Sequence, residues 1–146
     1  MTVSAPTAEQ TGWNKPFPGL DADTKRFWDA CKRHELSVQR CRDCGAYEWP
    51  PAHCGSCGSA NMEWAEVSGE GTVFSFVVFH KLYHPGFADE IPYNVAIIEL
   101  AEGPLLQSNI VDCPNDEIHV GMPVSVVYED ISDEFTLHRF RRSDTT

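Results

Sequence analysis

The amino-acid sequence predicts a mainly β protein in which one short helix precedes a small cysteine-rich module and a five-stranded barrel. Three observations predict this order: a single helical pattern, two Cys-x-x-Cys pairs after it, and five β-strand patterns after those pairs. We place an extended arm and the helix in residues 1–35, the cysteine-rich module in residues 36–66 and the barrel in residues 67–146.

The length and composition suit one compact domain or two small ones. The chain has 146 residues, of which 42% are hydrophobic and 11% are aromatic. No apolar run approaches the roughly 20 residues of a membrane helix, and the N-terminus lacks the basic start and apolar core of a signal peptide. We therefore expect a soluble, cytoplasmic protein.

The net charge of −11 is concentrated in the C-terminal half of the chain. Residues 67–146 carry four basic and 13 acidic side chains, whereas residues 1–66 carry seven and nine. Such an acidic surface repels nucleic acid and anionic lipid at physiological salt. The charge therefore argues against a protein that binds nucleic acid or a membrane surface.

Prolines and glycines fill the first 19 residues, which predicts an extended arm rather than a helix or a central strand. The arm nevertheless carries Trp13, Phe17 and Leu20, and such large apolar side chains indicate that it packs on something. The sequence leaves two surfaces open: the chain's own domain and a partner protein.

A short helix is predicted to follow, with Asp21 or Asp23 as its N-cap. Phe27, Trp28 and Cys31 form an apolar arc of about 100 degrees on one side of this helix. Basic residues occupy the opposite side: Lys25, Arg26, Lys32 and Arg33. This basic stripe is either a solvated face or a contact for an anionic ligand or an acidic partner.

The two Cys-x-x-Cys pairs predict a zinc ribbon. Their thiolates supply a complete tetrahedral shell: Cys41, Cys44, Cys54 and Cys57. A glycine follows each pair, Gly45 and Gly58, and allows a turn of positive φ whose amides point at sulfur. Because the shell leaves no position for water, we expect the zinc to be structural rather than catalytic.

Strand patterns bracket the cysteine pairs. Leu36 and Val38 alternate with polar residues before the first pair, and an extended stretch over residues 61–66, with Met62 and Trp64 on one face, follows the second pair. The ribbon is therefore expected to have two strands joined through the metal site.

Three further residues could take part in metal or thiol chemistry but are predicted to have other roles. His53 lies beside the third cysteine, and because four thiolates already complete the shell, we expect it on the surface or behind the ligands. Cys31 and Cys113 have no base beside them in the sequence and are predicted to be small buried apolar side chains.

The barrel is predicted from five strand patterns that turn residues separate. These patterns cover residues 72–80, 93–100, 105–111, 124–130 and 134–140. Five strands this short leave exposed edges unless the sheet closes on itself, so they favour a closed or partly open barrel of OB type.

The connection over residues 81–92 is long for a link between neighbouring strands, and such loops often bind ligands. We take Tyr83, His84 and Phe87 in this loop as candidate ligand contacts. Acid–base candidates also lie in and beside it: His80, His84, Asp89 and Glu90. Nothing in their spacing fixes two of them within hydrogen-bond reach, and no catalytic residue is predicted.

Three of the four basic residues of the barrel half lie near the C-terminus: Arg139, Arg141 and Arg142. This cluster either neutralises neighbouring acidic side chains or holds phosphates such as those of coenzyme A.

Several short stretches together match one known family. They are Phe27 and Trp28, the run from Leu36 into Cys41, Cys44 and Gly45, Pro50 and Pro51, Cys54, Cys57, Gly58 and Ser59, and Trp64. Further matches are Ser68, Gly69, Gly71, Thr72, Val73 and Ser75, then Pro92 and Tyr93, and residues 121–124. With them the chain resembles the acyl-CoA-associated zinc-ribbon and OB-fold proteins, long described as a domain of unknown function. Gly55 departs from the pattern, because family members commonly carry proline there, and we expect it to loosen the turn without removing a ligand.

The resemblance implies a helical segment, a rubredoxin-like zinc ribbon and a C-terminal OB barrel. Such proteins typically serve as small subunits of thiolase-like enzymes, whose large subunit carries the chemistry. For this chain the resemblance implies a complex that condenses, acylates or cleaves acyl-CoA or related acyl substrates. Candidate contacts with the large subunit are the large apolar residues of the arm and helix, Trp13, Phe17, Phe27 and Trp28.

Two other functional classes compete with that of an accessory subunit: a nucleic-acid-binding OB module and a stand-alone enzyme. A single-strand binder needs a basic groove with interleaved aromatic residues, and although the barrel has Phe74, Phe76 and Phe79, its charge has the wrong sign. We expect core packing to account for these three side chains. A stand-alone enzyme would need a nucleophile and a base, which the sequence does not pair.

Overall fold

The computed structural model describes Ala22, residues 24–133 and residues 135–143 of the chain. The described part contains one α-helix, eight β-strands and two short 3₁₀ turns. The elements are α1 (Lys25–Lys32), β1 (Leu36–Cys41), β2 (Tyr47–Glu48), β3 (Met62–Val67), β4 (Glu70–Phe79), β5 (Tyr93–Leu100), β6 (Leu105–Ser108), β7 (Pro123–Asp130) and β8 (Thr136–Arg142), with 3₁₀ turns at Pro85–Phe87 and Asn115–Glu117. No helix in these ranges is long and apolar enough to span a membrane.

The ribbon is a three-stranded antiparallel sheet in the order β2-β1-β3. Strands β1 and β3 pair along their whole length, from Leu36 opposite Val67 to Cys41 opposite Met62. These are the two strands that the alternating pattern predicted. The third strand, β2, has two residues and is too short to produce a periodic pattern in the sequence.

The remaining strands form a five-stranded antiparallel sheet in the order β6-β5-β4-β7-β8. The sheet curls until its two ends meet, where Ile110, just after β6, forms a parallel bridge with Phe140 of β8. The Val111 amide donates to the Phe140 carbonyl at 2.8 Å, and the Phe140 amide donates to the Asn109 carbonyl at 3.0 Å. Within the barrel these are the third and fifth strands, and a parallel contact between them gives the strand order of an OB fold. The sequence predicted a barrel of this type.

The first barrel strand carries a β-bulge that overturns one expectation about its aromatic residues. Val73 lies opposite Ile98, whereas Ser75 lies opposite Ile97, so Phe74 is the extra residue. Phe74 projects outward and is 52% exposed. The bulge reverses the expected alternation, and core packing therefore does not account for this phenylalanine.

The other two phenylalanines of β4 divide between the two faces of the sheet. Phe76 packs against the core, as predicted. Phe79 lies on the outer face, where its ring stacks on Tyr93 with centroids 5.3 Å apart. The expectation that all three phenylalanines pack in the core is wrong for Phe74 and Phe79.

Helix α1 joins the ribbon to the barrel through one buried aromatic side chain. Phe27 is 1% exposed, and its ring lies 4.4 Å from the ring of Trp49 in the ribbon and 5.1 Å from that of His138 in β8. The residue at the N-cap position is Thr24, whereas we expected Asp21 or Asp23, which fall outside the described residues. The apolar arc of the helix was predicted correctly, since Phe27 and Cys31 are buried.

His138 lies under this helix in an environment that disfavours a positive charge. Its Nε2 donates to the Gln107 carbonyl at 3.0 Å, and its Nδ1 is buried without a hydrogen-bond partner among the described residues. Burial lowers the pKa of His138 from 6.5 to about 4. The ring is therefore neutral in the folded protein and carries its proton on Nε2.

We predict that replacing His138 by leucine removes part of the acid sensitivity of folding. Between pH 6.5 and pH 4 the imidazole of the unfolded chain binds a proton that the folded chain excludes, so stability falls as the pH falls. The shift corresponds to up to about 3 kcal/mol across this window. Urea unfolding at both ends of the window should show His138→Leu losing less stability than the wild type by that order.

The matched control is His80→Leu, because His80 is exposed in the same barrel. This variant should follow the pH dependence of the wild type. Equal pH dependence for His138→Leu and His80→Leu would show that burial of His138 does not contribute to acid unfolding.

Candidate functional site

The four predicted zinc ligands converge at the tip of the ribbon. Their sulfur atoms all lie within 4.8 Å of one another, with Cys41 Sγ 3.6 Å from Cys57 Sγ and Cys44 Sγ 3.5 Å from Cys54 Sγ. A tetrahedral zinc ion with bonds of about 2.3 Å to sulfur requires sulfur atoms about 3.8 Å apart. The observed spacing fits zinc and is much longer than a disulfide bond.

Each cysteine pair is shaped by a tight turn that ends in a left-handed glycine. The Gly45 amide donates to the Cys41 carbonyl at 2.9 Å, and the Gly58 amide donates to the Cys54 carbonyl at 2.8 Å. Both glycines have positive φ, +82° and +78°, which a side chain would strain. The turns thus take the form that the glycine spacing predicted.

Backbone amides in the second turn favour the thiolate form of Cys54 over its thiol form. The amide of Cys57, and after it the amide of Ser56, lower the pKa of Cys54 to about 7 against the opposing effect of burial. The Ser56 amide lies 3.4 Å from Cys54 Sγ. These amides stabilise a thiolate at Cys54, whereas at Cys57 the Ser59 amide acts in the same sense but the Cys41 thiol raises the pKa to about 12.

Polar contacts hold the two turns against each other. Asp43 of the first turn accepts hydrogen bonds from the Ser59 hydroxyl and from Asn61 Nδ2, which lower the pKa of its carboxyl group. The Gly55 amide donates to Glu48 Oε1 at 2.8 Å. Proline at this position would lack that amide, so glycine ties the turn to β2 rather than simply loosening it.

The metal site contains no position for a substrate. Four thiolates fill a tetrahedral shell, and a zinc ion held in this way supplies folding stability rather than an open coordination site. His53 is exposed and lies outside the four-thiol group. These residues fit a structural zinc ion.

A cleft of about 320 Å³ lies on the barrel, at the end where the long loop meets the closing strands. Its lining residues are Phe87, Glu90, Pro92, Tyr93, Asn94, Asn109, Ile110, Val111, Cys113, Asn115, Glu129 and Arg139. Phe87 stacks on Tyr93 with centroids 4.8 Å apart, and Tyr93 stacks on Phe79 in turn. The aromatic wall continues from the cleft onto the outer face of the sheet.

The floor of the cleft is a hydrogen-bonded group of asparagines. Asn94 is 6% exposed, and its Nδ2 donates to the Ile110 carbonyl at 2.9 Å and to Asn115 Oδ1 at 3.1 Å. Its Oδ1 accepts the Ile110 amide at 2.7 Å, and Asn109 donates to its backbone carbonyl. The cleft thus has a polar floor that is already formed without a ligand.

The three C-terminal arginines do not act as one cluster. Arg139 lines the cleft, donates from Nε to Glu129 at 3.1 Å and hydrogen-bonds Asn109. Arg142 donates to Glu117 at 3.3 Å, and Arg141, opposite Ser125 on β7, is exposed. Arg139 and Arg142 thus neutralise neighbouring acidic side chains, which is one of the two roles that the sequence left open for these arginines.

The long loop divides its candidate ligand contacts between two surfaces. Phe87 faces the cleft, whereas Tyr83 is 67% exposed and meets Phe79 edge to face at 5.9 Å. His84 accepts the Gly86 amide on Nδ1 at 3.0 Å and so caps the 3₁₀ turn that carries Phe87. The structure therefore gives His84 a role in shaping the loop.

The two lone cysteines differ in their surroundings. Cys31 is buried in the core as predicted, and burial raises the pKa of its thiol to about 12. Cys113 is half-buried and lines the cleft, so the expectation of a core residue holds only in part. Burial raises its thiol pKa as well.

Sequence reasoning did not foresee a contact between the end of α1 and the barrel. His34 Nε2 lies 2.9 Å from an Asp130 carboxylate oxygen, and its ring stacks on Tyr128 at 4.9 Å. The Thr136 hydroxyl donates to the same carboxylate at 2.7 Å, and these two bonds lower the pKa of Asp130. His34 and Asp130 are 96 residues apart, and no local motif links them.

The candidate partner contacts fall in different surroundings. Phe27 is buried, so in this chain it can only support a docking surface from beneath. Trp28 is half-buried and packs edge to face on Phe27 at 5.1 Å. Trp13 and Phe17 lie outside the described residues.

Family models match both modules of the chain. The model described as "ChsH2, rubredoxin-like zinc ribbon domain" matches residues 28–63, and the model described as "ChsH2, C-terminal OB-fold domain" matches residues 64–129. A DUF35 domain-containing scaffold protein of Methanocaldococcus jannaschii is 34% identical over 112 residues, which are 75% of this chain and 79% of that protein. The chain belongs to this ChsH2 and DUF35 family.

Two longer relatives are named as hydratase subunits. A probable enoyl-CoA hydratase alpha subunit of Thermomonospora curvata is 38% identical over 87% of this chain. A 3-oxo-4,17-pregnadiene-20-carboxyl-CoA hydratase alpha subunit of Mycobacterium tuberculosis is 37% identical over 80% of it. The chain spans only 40% and 37% of the lengths of these two relatives.

Solved structures share the fold. A chain of the structure titled "Ltp2-ChsH2(DUF35) aldolase" is 38% identical and superimposes with a TM-score of 0.76 over 86% of this chain and 98% of that chain. A DUF35 protein of unknown function from Sulfolobus solfataricus is 17% identical, with a TM-score of 0.57 over 84% and 86% of the two chains, and supports the fold alone.

We predict that Cys41→Ser abolishes stoichiometric zinc binding, because three thiolates and a hydroxyl cannot complete the shell. Chelation of wild-type protein should unfold the ribbon while much of the β-sheet circular dichroism of the barrel persists. Elemental analysis should find about one zinc per chain in protein purified without chelator.

Cys31→Ser and Cys113→Ser are the matched controls, since both thiols lie outside the four-sulfur group. Both variants should keep the metal content of the wild type. A wild-type protein without stoichiometric metal would contradict the structural zinc site.

Proposed function

We propose that this member of the ChsH2 and DUF35 family is a non-catalytic, zinc-containing accessory subunit of a thiolase-like complex that processes acyl-CoA substrates. In this role it stabilises the large subunit and contributes to the acyl-CoA site. The main support is the match to nearly all of a chain solved as part of an "Ltp2-ChsH2(DUF35) aldolase". Carbon–carbon condensation, acyl transfer and thiolytic or retro-aldol cleavage all fall within the proposed reaction class.

The chemistry of the described residues favours an accessory role over catalysis by this chain. The metal shell is closed, and the asparagine amides under the cleft already bond to protein groups. At the His34 contact, Thr136 donates to Asp130 rather than to the imidazole, so this hydroxyl is not set against a base. We therefore assign the reacting groups to the large subunit.

The cleft is the proposed point of contact with an acyl-CoA ligand. Phe87 and Tyr93 offer an aromatic wall to an acyl or pantetheine chain, and Arg139 offers a cation at its edge. Glu129 already balances part of this charge, and the chain as a whole carries −11. The isolated chain is therefore expected to bind coenzyme A weakly, with the large subunit supplying the remaining contacts.

A nucleic-acid-binding module is the alternative function, and one observation favours it. Tyr93 lies on the second barrel strand, which belongs to the face that OB folds use to bind oligonucleotides, and exposed Phe74 and the stacked ring of Phe79 lie on the neighbouring first strand. The net charge of −9 over residues 67–146 opposes it, because single-strand binding needs a basic groove. A gel-shift assay with single-stranded DNA and RNA at low salt should show no complex, and tight binding there would reverse the ranking.

We predict that the full chain co-purifies from its native host with a thiolase-like subunit and that deletion of residues 1–20 weakens this association. The arm carries large apolar side chains, and in the proposed accessory role these side chains pack on the large subunit. Zinc content should stay constant on deletion, which separates loss of docking from loss of folding. An unchanged complex would rule out the arm, and a chain that never associates with such a subunit would overturn the proposed function.

We predict that the double variant Arg139→Glu with Arg141→Glu raises the apparent KM of the complex for its acyl-CoA substrate more than it lowers kcat. Reversing the charge of Arg139 at the cleft, together with that of exposed Arg141 two residues further along β8, should weaken binding of the ligand's phosphates while leaving the partner's reacting groups in place. Steady-state kinetics of the reconstituted complex measure both constants.

The control is Arg42→Glu, since Arg42 pairs with a glutamate, Glu63, as Arg139 does, and is exposed as Arg141 is, but lies in the ribbon. This variant should keep the wild-type KM. Wild-type kinetics for the double variant would move the ligand contact to the loop or wholly to the partner.

A further inference from the structure

Strands β4, β5 and β6 carry apolar side chains on both faces of the sheet. The inner positions form the core, as expected. The cross-strand register places the following residues on the opposite side: Ser75, Val77 and Phe79 of β4, Tyr93, Val95, Ile97 and Glu99 of β5, and Leu105 and Gln107 of β6. Antiparallel sheets with one solvated face normally present polar residues there, so this face has the composition of a covered surface.

We call these residues, with the bulged Phe74, the outer β4–β6 face. Much of it is open in the isolated chain: Phe74 and Val77 are each 52% exposed, and Leu105 is 40% exposed. At one end the ribbon adds Trp49 and Pro50, which form a groove of about 490 Å³ with the neighbouring strand residues. The face is thus a continuous apolar surface shared by both modules.

The charge distribution indicates what kind of partner covers this face. Of the nine outward positions named above, one is charged, Glu99. Residues 67–146 as a whole are strongly acidic, with 13 acidic and four basic side chains. Two copies meeting through this face would bring two chains of charge −11 together, and their acidic surroundings would repel each other. A different protein with basic side chains around an apolar ridge would complement both features.

We propose that the outer β4–β6 face is the surface on which the large subunit docks, through an apolar ridge bordered by lysine and arginine side chains. This inference rests on the proposed function and names its interface. Tyr93 belongs to both the face and the cleft, because its ring stacks on Phe79 on one side and on Phe87 on the other. A subunit seated on the face therefore closes one wall of the cleft, and docking couples directly to the ligand contact.

Val77→Glu in the full chain tests this assignment against the purified large subunit that co-purifies with it. Val77 lies between Ser75 and Phe79 on the β4 part of the face, opposite Val95, and is already half-exposed, so a glutamate there is tolerated by the free chain but is buried without a partner in the complex. We expect calorimetric affinity to fall by at least roughly thirtyfold, the level of an interface hot spot. The association rate of the wild type should also fall as salt is raised.

Val120→Glu is the matched control, because Val120 is 66% exposed on the connection between β6 and β7 and belongs to none of the three strands. The same substitution there should leave affinity unchanged. Zinc content and urea unfolding should match the wild type for both variants, so that a loss of affinity reports on the surface itself.

A benzophenone amino acid at position 77, placed in the full chain and produced together with the large subunit, identifies the occupant directly. A cross-link to the large subunit supports the proposal. A cross-link between two copies of the 16.4 kDa chain, a cross-link within one chain, or a cross-link to nucleic acid would each overturn it.

Different results would follow if the large subunit docks on another surface and if the chain has no large subunit at all. Wild-type affinity for Val77→Glu, with no cross-link from position 77, would show that the large subunit docks elsewhere while the accessory role stands. A wild-type chain that binds no large subunit would overturn the accessory role and this interface together.

Discussion

The packing of Phe27 between Trp49 and His138 fixes the ribbon on the barrel, and the positions of the other functional surfaces depend on it. Each of the three rings comes from a different element, so none of the modules can turn without opening this contact. The arrangement half-buries the His138 imidazole and encloses its Nδ1 without a partner among the described groups, a cost that larger burial of apolar surface offsets. That cost is also the origin of the expected acid sensitivity.

The zinc site and this aromatic contact act on the same segment of the ribbon from two sides. The metal closes the turns at one end of β1 and β2, while Trp49, directly after β2, packs on Phe27. Trp49 also lines the groove beside Phe74. A structural metal can therefore influence a docking surface without touching it, because it determines where the tryptophan lies relative to the barrel strands.

Local sequence patterns predicted the zinc site and the strands, whereas contacts between distant segments could not be predicted from such patterns. Two Cys-x-x-Cys pairs with following glycines specify their own geometry within a few residues. The bulge at Phe74 left no signal in the alternation, and this is why its phenylalanine was wrongly placed in the core. The Asn94 group and the His34–Asp130 contact join segments 16 and 96 residues apart in sequence, and only tertiary packing brings them together.

The acidic exterior and the apolar outer β4–β6 face have opposite effects on self-association of the chain. An exposed apolar sheet face promotes association with any similar surface, including a second copy of the same chain. High like charge around that face raises the free energy of such self-association, yet it favours a partner that carries the opposite charge. The pairing of Arg139 with Glu129 leaves little basic charge at the adjoining cleft, so an anionic ligand there also depends on cations from the partner. One charge distribution thus makes both docking and ligand binding conditional on the same second protein.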